Sequence, residues 1–198
     1  ASPVKWHLAH TTWFFETFVL TEHLAGYAAF DPAFRVLFNS YYNGVGDKHP
    51  RPERGLLSRP DLRTVIAYRA HVDTAMSRLL AAPLPSAAAS LVELGLQHEQ
   101  QHQELILTDV KHLLSRNPLR PAYHPRWPLA PVRPQPLVWD AFAGGLVTHG
   151  HDGDGFAFDN ESPAHPVFVA PFALASRPVT HGEFAAFVED GGYRRPEL

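Results

Sequence analysis

Residues 86–114 read SAAASLVELGLQHEQQHQELILTDVKHLL. Within this run Leu91, Leu94, His98, His102, Leu105 and Asp109 recur at helical spacing and fall on one face. The spacing predicts a helix of about four heptads, from Ser86 to about Leu114, the longest in the chain. One apolar face of that length needs other helices to cover it, and the upstream sequence supplies them. Ser2 reads as an N-cap with Pro3 at the first helical position. Trp6, His10, Trp13, Phe14 and Thr17 then run along one side of a helix ending near Gly26. A shorter helix is expected from Asp31-Pro32 to about Tyr42, closed by Asn43-Gly44. Residues 43–57 read as a Gly- and Pro-containing loop, and Asp61 to about Leu80 as a further helix. Several helices with modest connections suggest an antiparallel bundle.

Downstream, Pro118, Pro121, Pro125, Pro128, Pro131, Pro134 and Pro136 crowd into twenty residues. Each removes a backbone donor and fixes φ, so neither a helix nor a central strand fits there. The chain therefore divides into a helical part at 1–116, a Pro-rich linker at 117–136 and a β-rich part at 137–198. In the last part Val138, Phe142, Leu146 and Val147 alternate with small residues, and 166–169 read as a strand. Thr180 with Glu183 forms a capping box for a short helix at about His181–Glu189. The fold class expected is α+β multidomain.

Composition narrows the function. The 198 residues include no Cys, which excludes disulfide scaffolds, thiolate metal sites and Cys nucleophiles from this stretch. A net charge of −3 argues against general nucleic-acid binding. No uncharged run approaches the roughly 18 residues of a membrane span, and no signal peptide is evident. The expectation is a cytoplasmic protein acting on small molecules, without a nucleic-acid or membrane partner. The start without Met and the stop after Gly191-Gly192 suggest a piece of a longer protein.

Thirteen His is a high count for this length. His98 and His102, at i and i+4 of the long helix, have the geometry of two ligands of one metal ion. They line up with Leu91, Leu94 and Leu105, so they face the interior, where a bare imidazole needs a partner. His98-Glu99-Gln100-Gln101-His102 also matches the H-E-x-x-H pattern of zinc peptidases, a rival reading. Gln at both middle positions and polar flanks argue against it. His10, in an aromatic stripe of the first helix, is the best third ligand. His7 reads as lying on the other side of that helix, and His23 and His112 as surface residues. His149, His151 and His165 fall in loops of the second part. Three imidazoles suit Zn, Cu, Fe or Ni, so ligand type leaves the metal open.

The run Ser2-Pro3-Val4-Lys5-Trp6-His7-Leu8-Ala9-His10-Thr11-Thr12-Trp13-Phe14-Phe15-Glu16, taken with His98–Glu104, resembles the DinB-like domain of the sulfoxide synthases of ergothioneine biosynthesis. The second part resembles the start of the irregular α+β, C-type-lectin-like formylglycine-generating-enzyme domain fused to it in that family. Its marks are Gly144-Gly145, Phe156 to Glu161, Pro163-Ala164-His165, Pro178-Val179-Thr180 and Gly191-Gly192-Tyr193.

The resemblance implies Fe(II) held by His10, His98 and His102, with O2 as co-substrate. The implied reaction joins a cysteine-type thiol to the imidazole of Nα-trimethylhistidine as a sulfoxide. It also implies that Tyr41 or Tyr42 supplies a proton or hydrogen bond at the iron. Arg51 and Arg54 are implied to hold the thiol substrate's carboxylate, and Gln101 to bond the imidazole substrate. Ovothiol- and selenoneine-type synthases of the same family are alternatives. A DinB-like thiol transferase with Zn or Ni, or a non-catalytic metal-binding module, represents other classes.

Overall fold

A computed structural model of the chain describes residues 1–125 and 135–198. The chain forms two compact units, Ala1–Arg126 and Trp127–Leu198. The central part of the expected linker, 126–134, lies outside the described residues.

The first unit is helical. Its opening helix α1 (Val4–Phe14) continues without a break through a π-helical turn, Phe15–Leu20, into a last short turn α2 (Thr21–His23). Ser2 does not cap it. Pro3 holds the N-cap position, and the buried Ser2 sends its backbone N–H to Asp109 Oδ2 at 2.7 Å. The π turn places a buried carboxylate in an aromatic core. Glu16 accepts from Tyr68 Oη and Tyr27 Oη, each at 2.6 Å, and from Phe30 N at 3.0 Å. One side chain thereby ties three segments together.

The helix expected over 31–42 is only one turn, α3 (Phe34–Leu37). Asn39, fully buried, is the reason. Its amide donates to the carbonyls of Tyr42, Gly46 and Asp47, and its Oδ1 accepts from Tyr42 N. Those bonds compete with continued helix and turn the chain into a loop. The loop carries two 3₁₀ turns, Asn43–Val45 and Arg51–Leu56.

Helix α4 (Leu62–Leu79) starts where expected, with Asp61 Oδ1 accepting from Thr64 N at 2.8 Å. Helix α5 (Ser86–Arg116) is the long one. Trp13, Phe14, Phe38, Val65, Tyr68 and Val72 form the centre of the core, and Leu91 and Leu94 of α5 pack against it. Leu105 departs from the expected face and is 43% exposed. Gly95 of α5 marks a close approach. A Cβ there would lie 2.6 Å from the Phe15 ring and 3.0 Å from the Phe14 ring. No helix among the described residues is long and apolar enough to cross a membrane.

The second unit holds two antiparallel ribbons. β1 (Trp139–Phe142) pairs with β4 (Phe172–Ala175), and β2 (Gly145–His149) pairs with β3 (His165–Val169). Phe142 and Phe172 face each other across the first ribbon, rings stacked at 4.8 Å. Gly144, at φ 69°, leads into β2, and a Cβ there would meet the Val169 carbonyl at 2.2 Å. His149 and His165 are not loop residues but directly paired strand positions. Helix α6 (His181–Glu189) has the expected capping box, Thr180 Oγ1 accepting from Glu183 N and the Glu183 carboxylate from Thr180 N. Most large apolar side chains of the two ribbons are exposed, including Trp139, Leu146, Phe168 and Leu174.

Candidate metal centre

Two helices build the site. α1 carries His10, and α5 carries His98 and His102 one turn apart. One ring nitrogen from each lies within 4.8 Å of the others, and all three side chains are buried. His149, His151 and His165 form no comparable group among the described residues.

Local packing fixes the His10 ring. Trp6, one turn before it, and Trp13, one turn after, stack on it at 4.7 Å and 5.4 Å. Its Nδ1 lies 2.6 Å from the Phe38 carbonyl. A carbonyl only accepts, so Nδ1 carries the proton and Nε2 is bare. His98 differs. Both its nitrogens are buried and neither has a hydrogen-bond partner among the described residues. Unpaired buried polar atoms are costly, and a metal ion is the partner that this donor set fits.

All three rings are held neutral, as ligands must be. Burial is the main cause for each. It takes His98 to about 4, and with repulsion from His98 it takes His10 to about 2 and His102 to about 3. This sets a pH dependence. The unfolded chain takes up these protons near pH 6.5, the folded chain only at about pH 4 and below. Between those values the unfolded state binds more protons, so acid favours it. Each ring contributes about 1.4 kcal/mol per pH unit when fully inside the window. Thermal melts of metal-free protein should therefore show Tm falling steadily from pH 6.5 to 4.5. A flat profile would mean that the rings protonate in place.

His7 was expected on the far side of α1. It is instead buried against the site, its Nδ1 2.9 Å from His102 Nδ1 and its Nε2 3.0 Å from Asp109 Oδ2. Asp109 is three turns along from His98 and shares the stripe of His102, but that stripe does not show which face of α1 meets it.

The remaining expected residues divide. Arg54 is not on a solvated loop face. It is 4% exposed, lies 3.6 Å over the Trp6 ring and donates to Ser40 Oγ at 3.0 Å, while its Nε has no partner among the described residues. Burial and neighbouring Arg51 lower it to about 10, so it remains a cation at neutral pH. Its charge acts on His7, His10 and His102. Arg51 is exposed at the start of the same 3₁₀ turn. Tyr42 is half-buried, with its ring 6.5 Å from His10 and 5.5 Å from Trp13. Tyr41 is 65% exposed and stacks on Tyr42 at 4.9 Å. Neither Tyr ends a helix; both follow the Asn39 break. Gln101 is exposed on α5. Glu99, the base that a zinc peptidase requires, binds Arg69 of α4 at 2.5 Å.

Comparison with known proteins adds to this geometry. The chain is 32% identical to the hercynine oxygenase of Mycolicibacterium thermoresistibile over 98% of its own length, and 33% identical to that of Mycobacterium tuberculosis over 97%. The chain is a homologue of the hercynine oxygenases. It spans 42% and 44% of those two relatives, less than half of each. Residues 140–197 match the sulfatase-modifying factor enzyme 1-like domain, so the second unit carries that domain.

Proposed function

We propose that this chain is the metal-holding part of a non-haem iron, O2-dependent enzyme acting on Nα-trimethylhistidine (hercynine). The observation that carries this reading is the convergence of His10, His98 and His102, with His98 lacking any other partner among the described residues. The likeness to hercynine oxygenases supports a metal and O2, and the resemblance to the sulfoxide synthases implies iron within a donor set that Zn, Cu or Ni would also accept. In this reading the helical unit is a DinB-like bundle fused to the sulfatase-modifying-factor-like domain. The reaction joins the thiol sulfur of a cysteine-type substrate to imidazole C2 and oxidises that sulfur to a sulfoxide. The S–H and C2–H hydrogens leave with one oxygen atom as water, and O2 is the oxidant.

Bound iron supplies the redox chemistry that engages O2. The chain's residues position the reactants. Arg54, cationic, with an Nε unpaired among the described residues and acting on the His cluster, is suited to a substrate carboxylate, and Arg51 adds charge at the entrance to the same turn. Gln101 is available to an imidazole substrate from the exposed side of α5. Tyr42 is the phenol on the His side of the tyrosine pair. Burial first, then Tyr41, raises its pKa, so it keeps its proton at neutral and alkaline pH.

Anaerobic titration with Fe(II) should give one iron per chain. O2 uptake should then need both trimethylhistidine and a thiol, cysteine or γ-glutamylcysteine. Thiol transfer without O2 consumption, or absence of metal binding, would overturn the reading. Tyr42→Phe should keep the iron, because no ligand is lost. Its sulfoxide formation should fall by about 10²–10⁴-fold if the hydroxyl is the proton donor. Tyr41→Phe should have a much smaller effect. Equal, unchanged rates for the two variants would reduce the pair to packing.

A further inference from the structure

We infer that Asp109 and His7 form a positioning relay that fixes the tautomer of His102 and so selects Nε2 as its metal-binding nitrogen. The inference rests on the metal reading of the three His and adds two residues to it. A carboxylate only accepts, so the proton between Asp109 Oδ2 and His7 Nε2, 3.0 Å apart, sits on His7 Nε2. A neutral imidazole has a single ring proton. His7 Nδ1 is therefore bare and acts as an acceptor. It lies 2.9 Å from His102 Nδ1, which must donate. That leaves His102 Nε2 bare, the form in which an imidazole ligates. His10 arrives at the same form by a different route, its Nδ1–H donating to the Phe38 carbonyl.

The relay is anchored at its carboxylate end. Asp109 Oδ2 also accepts from Ser2 N at 2.7 Å, which ties the chain's start to α5 and holds the carboxylate in place. Burial works to raise the Asp109 carboxyl, but its hydrogen bonds to Ser2 and His7 outweigh that and hold it below its usual value, as the relay requires. His7 and Asp109 do not converge on the ligand nitrogens; they act through His102.

Long-range 1H–15N correlation spectra of the metal-free protein read the tautomers directly, without any variant. The expected pattern is His102 protonated at Nδ1 and bare at Nε2, and His7 protonated at Nε2 and bare at Nδ1. His102 protonated at Nε2 would overturn the inference. Metal competition assays supply the second readout. His7→Leu removes the acceptor and should weaken Fe(II) or Co(II) binding by about 10–100-fold, with the Nε2–H form of His102 appearing. His7→Gln keeps a carbonyl oxygen that can accept from His102 Nδ1, and should restore much of the affinity. His7→Leu that binds as tightly as the unaltered protein would overturn the relay while leaving the triad intact. If the unaltered protein binds neither ion, the metal reading itself falls.

Discussion

Replacing His98 by Leu should weaken metal binding by about 10²–10³-fold and leave the metal-free protein as stable as before, or more so. The weaker binding follows from ligand count. Sites with four ligands bind with about 10–16 kcal/mol, so losing one ligand costs roughly 3–4 kcal/mol, or about 10²–10³-fold in affinity. Stability moves the other way because both nitrogens of His98 are buried without a partner among the described residues. Replacing an unsatisfied buried polar group by an apolar one of similar size is neutral or stabilising, by up to about 1–3 kcal/mol. Paired titrations and melts of the two proteins, each stripped of metal, check this. A less stable His98→Leu protein would show that the ring has a stabilising partner in the fold.

Glu16→Ala should be among the most damaging changes away from the site. It strips the acceptor from the hydroxyls of Tyr68 and Tyr27 and from the Phe30 N–H, and empties space in the aromatic core. The expected loss is about 3–5 kcal/mol, since each stranded donor costs about 1–3 and Tyr27 is only half-buried. Urea denaturation should give a lower midpoint with unchanged slope. Glu16→Gln, which keeps one acceptor oxygen, should cost less. Equal midpoints for Glu16→Ala and the unaltered protein would mean that water takes over the three donors.

The parts of the fold that the sequence made legible are those governed by neighbours in the chain. Asp61 with Thr64, and Thr180 with Glu183, are caps whose partners lie three residues away. The stripe of α5 follows from helical geometry, and His98, His102 and His10 do converge. Features set by distant partners were not legible. Asn39 ends α3 through carbonyls brought round by the loop it creates. Glu16 looks like a surface residue among aromatics until Tyr68, 52 positions on, closes over it. His7 and His10 are three residues apart, about 60° around a helix. Whether both face α5 depends on how the two helices cross, and no local pattern encodes that. Arg54 is buried by Trp6, 48 positions earlier, a contact no loop-composition argument supplies.

Gly95 trades helix strength for reach. In mid-helix it sacrifices about 0.5–1 kcal/mol relative to alanine. A methyl group there would displace the Phe15 ring and press on Phe14, whose ring lies 5.1 Å from that of His98. The missing methyl thus acts as a calliper, setting how near the helix of His10 comes to the helix of the other two imidazoles. Metal–nitrogen bonds tolerate only about 0.2 Å of error. Engineering for thermal tolerance would choose alanine first at this position, and would thereby widen the jaws of the site.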